Sequence, residues 1–319
     1  MSGEDSKSSG ETGENIVSKF FKKVGWPNSN PNISFPCHFG TTHPSDADGP
    51  RTKHGVDEHF SYLSSLETET LVHILASVKH TTGDYPKSFT NKIKGYVDDI
   101  IYSSVCFRVS DHNADTNAIF SGNTIKNIKY VPVLFYLSSK EDKHKDYFAN
   151  ISNTQYFKKF ENEGIEEFYV VDNSKFTFML NAIDHVTNHY SDYEIFFGHT
   201  STSLNRMSFN QRSYSSVMPV EYLTLPYLTF VLRKNIENEE VFKCVVVANE
   251  PFSQDSLSRH TYSALQHSDR ISSVSICFPD FFLDEHKGDV SKVMQAHNIT
   301  EQKLRVENYI PNFRNLTNE

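Results

Sequence analysis

The chain has 319 residues, of which 37% are hydrophobic, and carries 31 Lys and Arg against 40 Asp and Glu. That length allows about two domains, or one large one, with a core that needs no disulfide or metal staple. The composition excludes collagen, coiled-coil and wholly disordered classes. A net charge of -9 argues against tight, sequence-reading nucleic-acid binding, which draws on Lys and Arg.

Residues 1–15 hold Ser, Gly, Glu and Asp and no large apolar side chain beyond the first Met, and are expected as a disordered acidic tail. Ile16, Phe20 and Val24 then recur at helical spacing, with Val17 and Phe21 beside them and Lys19, Lys22 and Lys23 opposite; Gly25 is placed to stop this helix. Pro27, Pro31, Pro36, Pro44 and Pro50 exclude a regular helix over the next stretch. Residues 16–56 are therefore expected as an amphipathic helix followed by an extended arm. Ile16, Phe20, Phe21, Trp26, Ile33, Phe35 and Phe39 would anchor that arm on a neighbouring subunit.

Two helices are expected next. Phe60, Leu63, Leu66, Leu71, Ile74, Leu75 and Val78 form one stripe. Ser88 would cap the other, which carries Phe89, Ile93, Tyr96, Val97, Ile100, Ile101 and Val105. Residues 111–123 read as a polar loop. The apolar run 130–137 fits a strand or a buried helix equally. A charged turn at 140–145 precedes a helix bearing Tyr147, Phe148, Ile151, Phe157 and Phe160. A short strand is expected at 168–171, and Asp172 would cap a helix carrying Phe176, Met179, Leu180, Ile183 and Val186. Residues 198–216 read as a long loop, and 219–232 as an apolar segment kinked or split at Pro226. Strands at 241–248 and 271–278 flank a helix at 256–267, and two helices, before and after Asn298, close the chain.

No residue group points to chemistry unaided. Cys37, Cys106, Cys244 and Cys277 lie far apart and read as reduced thiols. His185 and His189 share a helical face, but Val186 stands where a zincin has its Glu and no third ligand is evident. Cys37 with His38 and His43 could be a nucleophile and base only if the fold assembled them. Asp98-Asp99 reads as a solvated helix edge. Lys19, Lys22 and Lys23 beside Phe20, Phe21 and Trp26 are a weak version of an RNA contact. No phosphate-binding loop or hydrolase signature occurs. No catalytic, cofactor or metal residues are therefore expected. The 42 aromatic residues, 13% of the chain, suggest that some face partners.

The acidic start, the Pro-rich aromatic arm and the many Phe and Tyr together resemble a viral capsid family. The likeness covers the whole chain, from Met1 to Glu319. It is to the capsid proteins of small bisegmented double-stranded RNA viruses, the partitivirus group, with the cryspovirus members nearest. The resemblance implies an α+β, helix-dominated fold. It places a shell domain at 57–125 and 213–319, a projecting arch at 126–212, and an extended N-terminal arm. It implies a structural protein and not an enzyme, self-assembling through homodimers into an icosahedral virion in the host cytoplasm. Its partners would be the viral RNA-dependent RNA polymerase and weakly held double-stranded RNA, with no membrane. Two other classes stay open: a non-structural RNA-binding or replication-scaffold protein, and an enzyme of unrecognised class.

Overall fold

The computed structural model describes residues 3–43, 49–85, 89–140, 160, 163–199, 214–267, 270–312 and 314. The chain divides into two compact units, Met1–Thr177 and Phe178–Glu319.

The first unit opens with helix α1 (Gly3–Lys23). It takes in most of the expected tail as well as the expected short helix. Gly25 ends it in the left-handed region at φ 76. Trp26 N–H bonds the Phe21 carbonyl at 2.8 Å and Gly25 N–H that of Lys22 at 3.4 Å, a Schellman closure that only a residue without Cβ makes cheaply. Strands β1 (Asn30–Pro36), β2 (Lys53–Leu63) and β3 (Thr70–Thr81) follow. Helices α2 (Phe89–Phe107) and α3 (Asp111–Ile119) then lead to β4 (Asn127–Ser138) and β5 (Tyr169–Val171). The sheet runs in the order β1-β2-β3-β4-β5. β1, β2 and β3 pair antiparallel; β3, β4 and β5 pair parallel.

The expected helix through Phe60 and Val78 is two strands. Ser64 Oγ receives the Leu66 and Glu67 N–H groups, and Glu69 turns the chain at φ 54. Thr70 to Val78 are all buried, because helices cover both faces of β3. A strand buried on both sides shows no alternation, so its apolar residues can mimic a helical stripe. Residues 130–137, left open by the sequence, are the core of β4 for the same reason. The expected loop at 111–123 contains α3, capped by Ser110 Oγ on Asn113 N–H. Ser88 and residues 147–157 of the helix expected through Phe160 lie outside the described residues; Phe160 itself is buried.

The expected arm is part of this unit's own fabric. β1 hydrogen-bonds along β2, and its prolines sit on an edge strand, where a missing N–H costs least. Phe20, Phe21, Trp26 and Phe35 are at most 3% exposed within the chain. Phe20 packs on Phe176 with ring centres 4.8 Å apart, and Phe21 on Trp26 at 4.9 Å. Ile33 is half-buried, whereas Ile16 at 37% and Phe39 at 44% remain exposed. Phe20, Phe21, Trp26 and Phe35 thus fill the unit's own core.

Helix α4 (Asn173–His189) straddles the division, its start capped by Asp172 Oδ1 on Lys175 N–H at 3.1 Å. In the second unit β6 (Glu194–Gly198), β7 (Tyr214–Ser215), β8 (Tyr227–Ile236), β9 (Glu239–Ala248), β10 (Ile271–Phe278) and β11 (Leu304–Asn308) form a sheet ordered β11-β10-β9-β8-β6-β7. β9, β10 and β11 are parallel; the rest are antiparallel. Helices α5 (Gln254–His267) and α6 (Leu283–His297) pack with β9 and β10 around Leu257, Val274, Ile276 and Val293. Asn298 ends α6 in the left-handed region at φ 52, and the chain after it forms β11 in place of the second expected helix.

The architecture is thus two mixed sheets with helices, not a helix-dominated shell. β4 lies inside the first sheet and α4 crosses the boundary between the units. Among the described residues no helix is long and apolar enough to cross a membrane.

Candidate active site

The ladder between β2 and β3 runs from Leu63↔Leu71 to Glu58↔Ala76 and stops there. One residue further, Asp57 leaves the ladder, and its Oδ2 takes the Val78 N–H at 2.6 Å. Its carboxylate thus replaces the carbonyl that a continued ladder would offer. Ser77 Oγ donates to the same oxygen at 3.3 Å, and Lys79 Nζ stands 4.0 Å from it. Successive strand residues alternate faces, so Ser77 and Lys79 share one. The Lys79 ammonium lies 5.7 Å from the ring centre of Tyr96 on α2. Its side chain is 33% exposed and that of Asp57 26%, so both reach solvent from a packed base.

The opposite face of this stretch is closed by α1. A Cβ on Gly13 would meet His80 Cβ at 2.6 Å and Val78 Cγ1 at 3.2 Å, so only glycine permits this approach. Ser9 Oγ and the Ser9 carbonyl both contact His80 Nδ1, at 2.9 and 3.0 Å. Glu58 is buried, and its Oε2 has no hydrogen-bond partner among the described residues. It pairs with Ala76 and therefore points away from the Ser77 face.

The other residues singled out from sequence fall as follows. Lys19, Lys22 and Lys23 are exposed along α1. Asp99 pairs with Arg51 and so is not a bare helix edge. The His185 and His189 rings lie with centres 4.2 Å apart, tilted by 35°. His185 Nε2, however, faces Cys277 Sγ at 3.6 Å and Glu307 Oε2 at 3.7 Å. Burial raises the Glu307 carboxyl, but the hydrogen bond from His185 and the charge of Arg305 bring it below its ordinary value overall. Cys37 and His43 do meet, joined by His54 and Cys106, whereas His38 contributes only its backbone N–H.

A family model, that of the GAPS4 protein PD-(D/E)XK nuclease domain, matches residues 1–175. No curated protein matches the chain. The family's description spells out a Pro-Asp pair and, further on, an Asp or Glu two residues before a Lys. Asp57 follows Val56, and Ser77-Val78-Lys79 carries the Lys with Ser at the acidic position. The motif is hard to read in the sequence because both of its signals are incomplete, and because a helical reading of Phe60 to Val78 hides the strand pair that brings Asp57 to Ser77 and Lys79. A spacing of two between Ser77 and Lys79, read on strands, was the one available signal.

The match overturns the capsid resemblance and what it implied: a structural, non-enzymatic protein, a virion, homodimers building a shell, a polymerase and a double-stranded RNA genome as partners. The reading set last, an enzyme of a class not visible in the sequence, is the one it favours. Since the matched stretch exceeds half of the 319 residues, the chain belongs to the GAPS4 PD-(D/E)XK nuclease-domain family.

Proposed function

We propose that the Met1–Thr177 unit acts on the phosphodiester backbone of a nucleic acid at Asp57, Ser77 and Lys79. The observation that carries the reading is the divergence of β2 from β3, which leaves a carboxylate and an ammonium 4.0 Å apart at a partly open edge. Lys79 meets the negative charge that gathers on the phosphate oxygens as the bond breaks; the Asp57 carboxylate orients the attacking water. Ser77 and the Val78 N–H hold that carboxylate in place.

A divalent cation at such a centre takes oxygen ligands, usually one or two carboxylates with the substrate's phosphates. Here Asp57 supplies one, Ser77 supplies a hydroxyl already donated to it, and Glu58 faces away. This donor set does not fit a cation held by the protein alone, so no step is assigned to one. Ser77 also favours a second reading, in which the unit grips nucleic acid without cutting it.

One experiment separates the two. Wild type, Lys79→Ala and Asp57→Asn are incubated with single- and double-stranded DNA and RNA, with and without Mg²⁺ or Mn²⁺, and binding is titrated against salt. Cleavage that falls at least about 100-fold in both variants supports hydrolysis at this centre. Binding without cleavage, weakened by Lys79→Ala and by salt, supports the second reading. Neither activity, or cleavage unchanged in both variants, overturns the assignment.

A further inference from the structure

Away from Asp57, the first unit gathers four metal-ligand side chains at one point. Cys37 follows β1, His43 lies in the next turn, His54 is on β2, and Cys106 is near the end of α2. His43, His54 and Cys106 are at most 4% exposed, and Cys37 is half-buried. One donor atom from each lies within 4.8 Å of all the others. We propose that these four residues form a closed, structural zinc site.

The argument is geometric. Zinc binds Cys sulfur at about 2.3 Å and His nitrogen at about 2.0–2.1 Å, and structural sites are tetrahedral. A tetrahedron of those radii has edges of about 3.8 Å between sulfurs, about 3.6 Å between sulfur and nitrogen, and about 3.3 Å between nitrogens. The structure places Cys37 Sγ 3.9 Å from Cys106 Sγ. His43 Nδ1 lies 3.5 Å from Cys37 Sγ, 3.6 Å from Cys106 Sγ and 3.2 Å from His54 Nε2. These four of the six edges fall within about 0.2 Å of the tetrahedral values, and the two from His54 to the sulfurs are no longer than 4.8 Å. The sulfur–sulfur distance is nearly twice the length of a disulfide bond, about 2.05 Å.

The surrounding hydrogen bonds suit the same assignment. Metal-bound His usually donates its other N–H to a nearby acceptor, and this fixes the tautomer. Ser103 Oγ donates to the Asp99 carbonyl at 2.8 Å and so receives the His54 Nδ1–H at 3.2 Å, which leaves the Nε2 lone pair facing the cluster. Arg51 Nη1, which can only donate, stands 3.1 Å from the same Nδ1 while paired to Asp99, so in this tautomer its contact with the ring is not a hydrogen bond. The His38 N–H points at Cys106 Sγ from 3.4 Å, as an amide does toward a thiolate. Tyr102 stacks on His43 with ring centres 4.5 Å apart and closes one side. Four protein donors leave no position for water, so the ion would tie β1, the following turn, β2 and α2 together and carry out no reaction. His54 is three residues before Asp57 on the same strand. The site is independent of the nuclease reading and holds or fails apart from it.

The test is metal content and cobalt spectroscopy of the full chain. Protein expressed with added zinc should carry one zinc per chain by elemental analysis, and His54→Ala and Cys106→Ser should each lose it. If those variants do not fold, the wild type decides. Reduced protein stripped of zinc and titrated with Co²⁺ should show the visible bands of a tetrahedral ion and a thiolate charge-transfer band, saturating at one equivalent. Cys37→Ser, at the least buried position, should lower the charge-transfer intensity by about half, since one of two sulfur ligands remains. A zinc-free wild type with a colourless cobalt titration overturns the site. Full zinc occupancy retained in both His54→Ala and Cys106→Ser overturns it as well.

Discussion

Gly13→Ala and Gly10→Ala differ in sign although both sit in α1. Alanine is a better helix former than glycine by about 1 kcal/mol, so propensity alone makes both substitutions stabilising. At Gly10 the new Cβ meets nothing within 4 Å, and the gain should stand. At Gly13 it would come within 2.6 Å of His80 Cβ and 3.2 Å of Val78 Cγ1. Carbon atoms pack at about 3.5–4.0 Å, so α1 must withdraw from β3 by about 1 Å. His80 Cβ is fixed to the strand backbone and cannot swing aside. Withdrawal strains the Ser9–His80 hydrogen bonds and the packing of Val17, Phe20 and Phe21, all at most 1% exposed. Overpacking of this kind costs about 1–3 kcal/mol, and a strained hydrogen bond about 1 kcal/mol more. After the propensity gain, Gly13→Ala should be about 1–3 kcal/mol less stable, a fall of roughly 2–12 °C in Tm for a unit of this size. Thermal melts of both variants beside wild type measure the contrast. A Gly13→Ala protein as stable as Gly10→Ala would refute the close approach of α1 to β3.

Three further outcomes are expected. His73 is buried between His59 and Ser61 on β2, Tyr130 on β4, Phe107 on α2 and Asn117 on α3. Burial holds it down to about 4, against 6.5 ordinarily, so below pH 6.5 the unfolded chain takes up a proton that the folded one refuses. Stability should therefore fall as pH drops from 6.5 to 4, by about 3 kcal/mol from this group. Urea titrations across that range should show a shallower pH dependence for His73→Gln, and parallel curves would contradict the assignment. Asn173 receives the Ser138 N–H at 2.9 Å, donates to the Ser138 carbonyl at 2.7 Å and accepts from Tyr85 Oη at 3.2 Å. Asn173→Ala should cost about 2–3 kcal/mol by denaturant unfolding, and a loss under about 0.5 kcal/mol would show that water replaces these bonds. Ser77→Asp restores the acidic position of the motif and sets a second carboxylate beside Asp57. The variant should melt lower than wild type without divalent cations and gain more stability than wild type from Mn²⁺. Equal Mn²⁺ responses would mean that residue 77 does not face Asp57.

Much local structure was legible in the sequence. The stop at Gly25, the cap at Asp172, the strands at 168–171, 241–248 and 271–278 and the helix at 256–267 follow from single residues or uniform apolar runs. Such signals act within a few residues and need no partner. The failures share one cause. Thr70 to Val78 is buried on both faces and lost the alternation that marks a strand. The aromatic residues of 16–39 looked like anchors for a neighbour because nothing local shows that β4 and α4 come back to cover them.

What the amino-acid sequence determined by itself was composition, the stop at Gly25 and the cap at Asp172, and the presence of Asp57, Lys79, two cysteines and two histidines with suitable chemistry. Tertiary structure alone decided which of these meet. Asp57 takes its place in the proposed site because β2 parts from β3 at that point and leaves the Val78 N–H to its carboxylate. Cys37 and Cys106, 69 positions apart, come within 3.9 Å because α2 returns across β1 and β2. Contacts at such separations arise from packing apolar faces whose partners lie far along the chain, and no local pattern of residues encodes them.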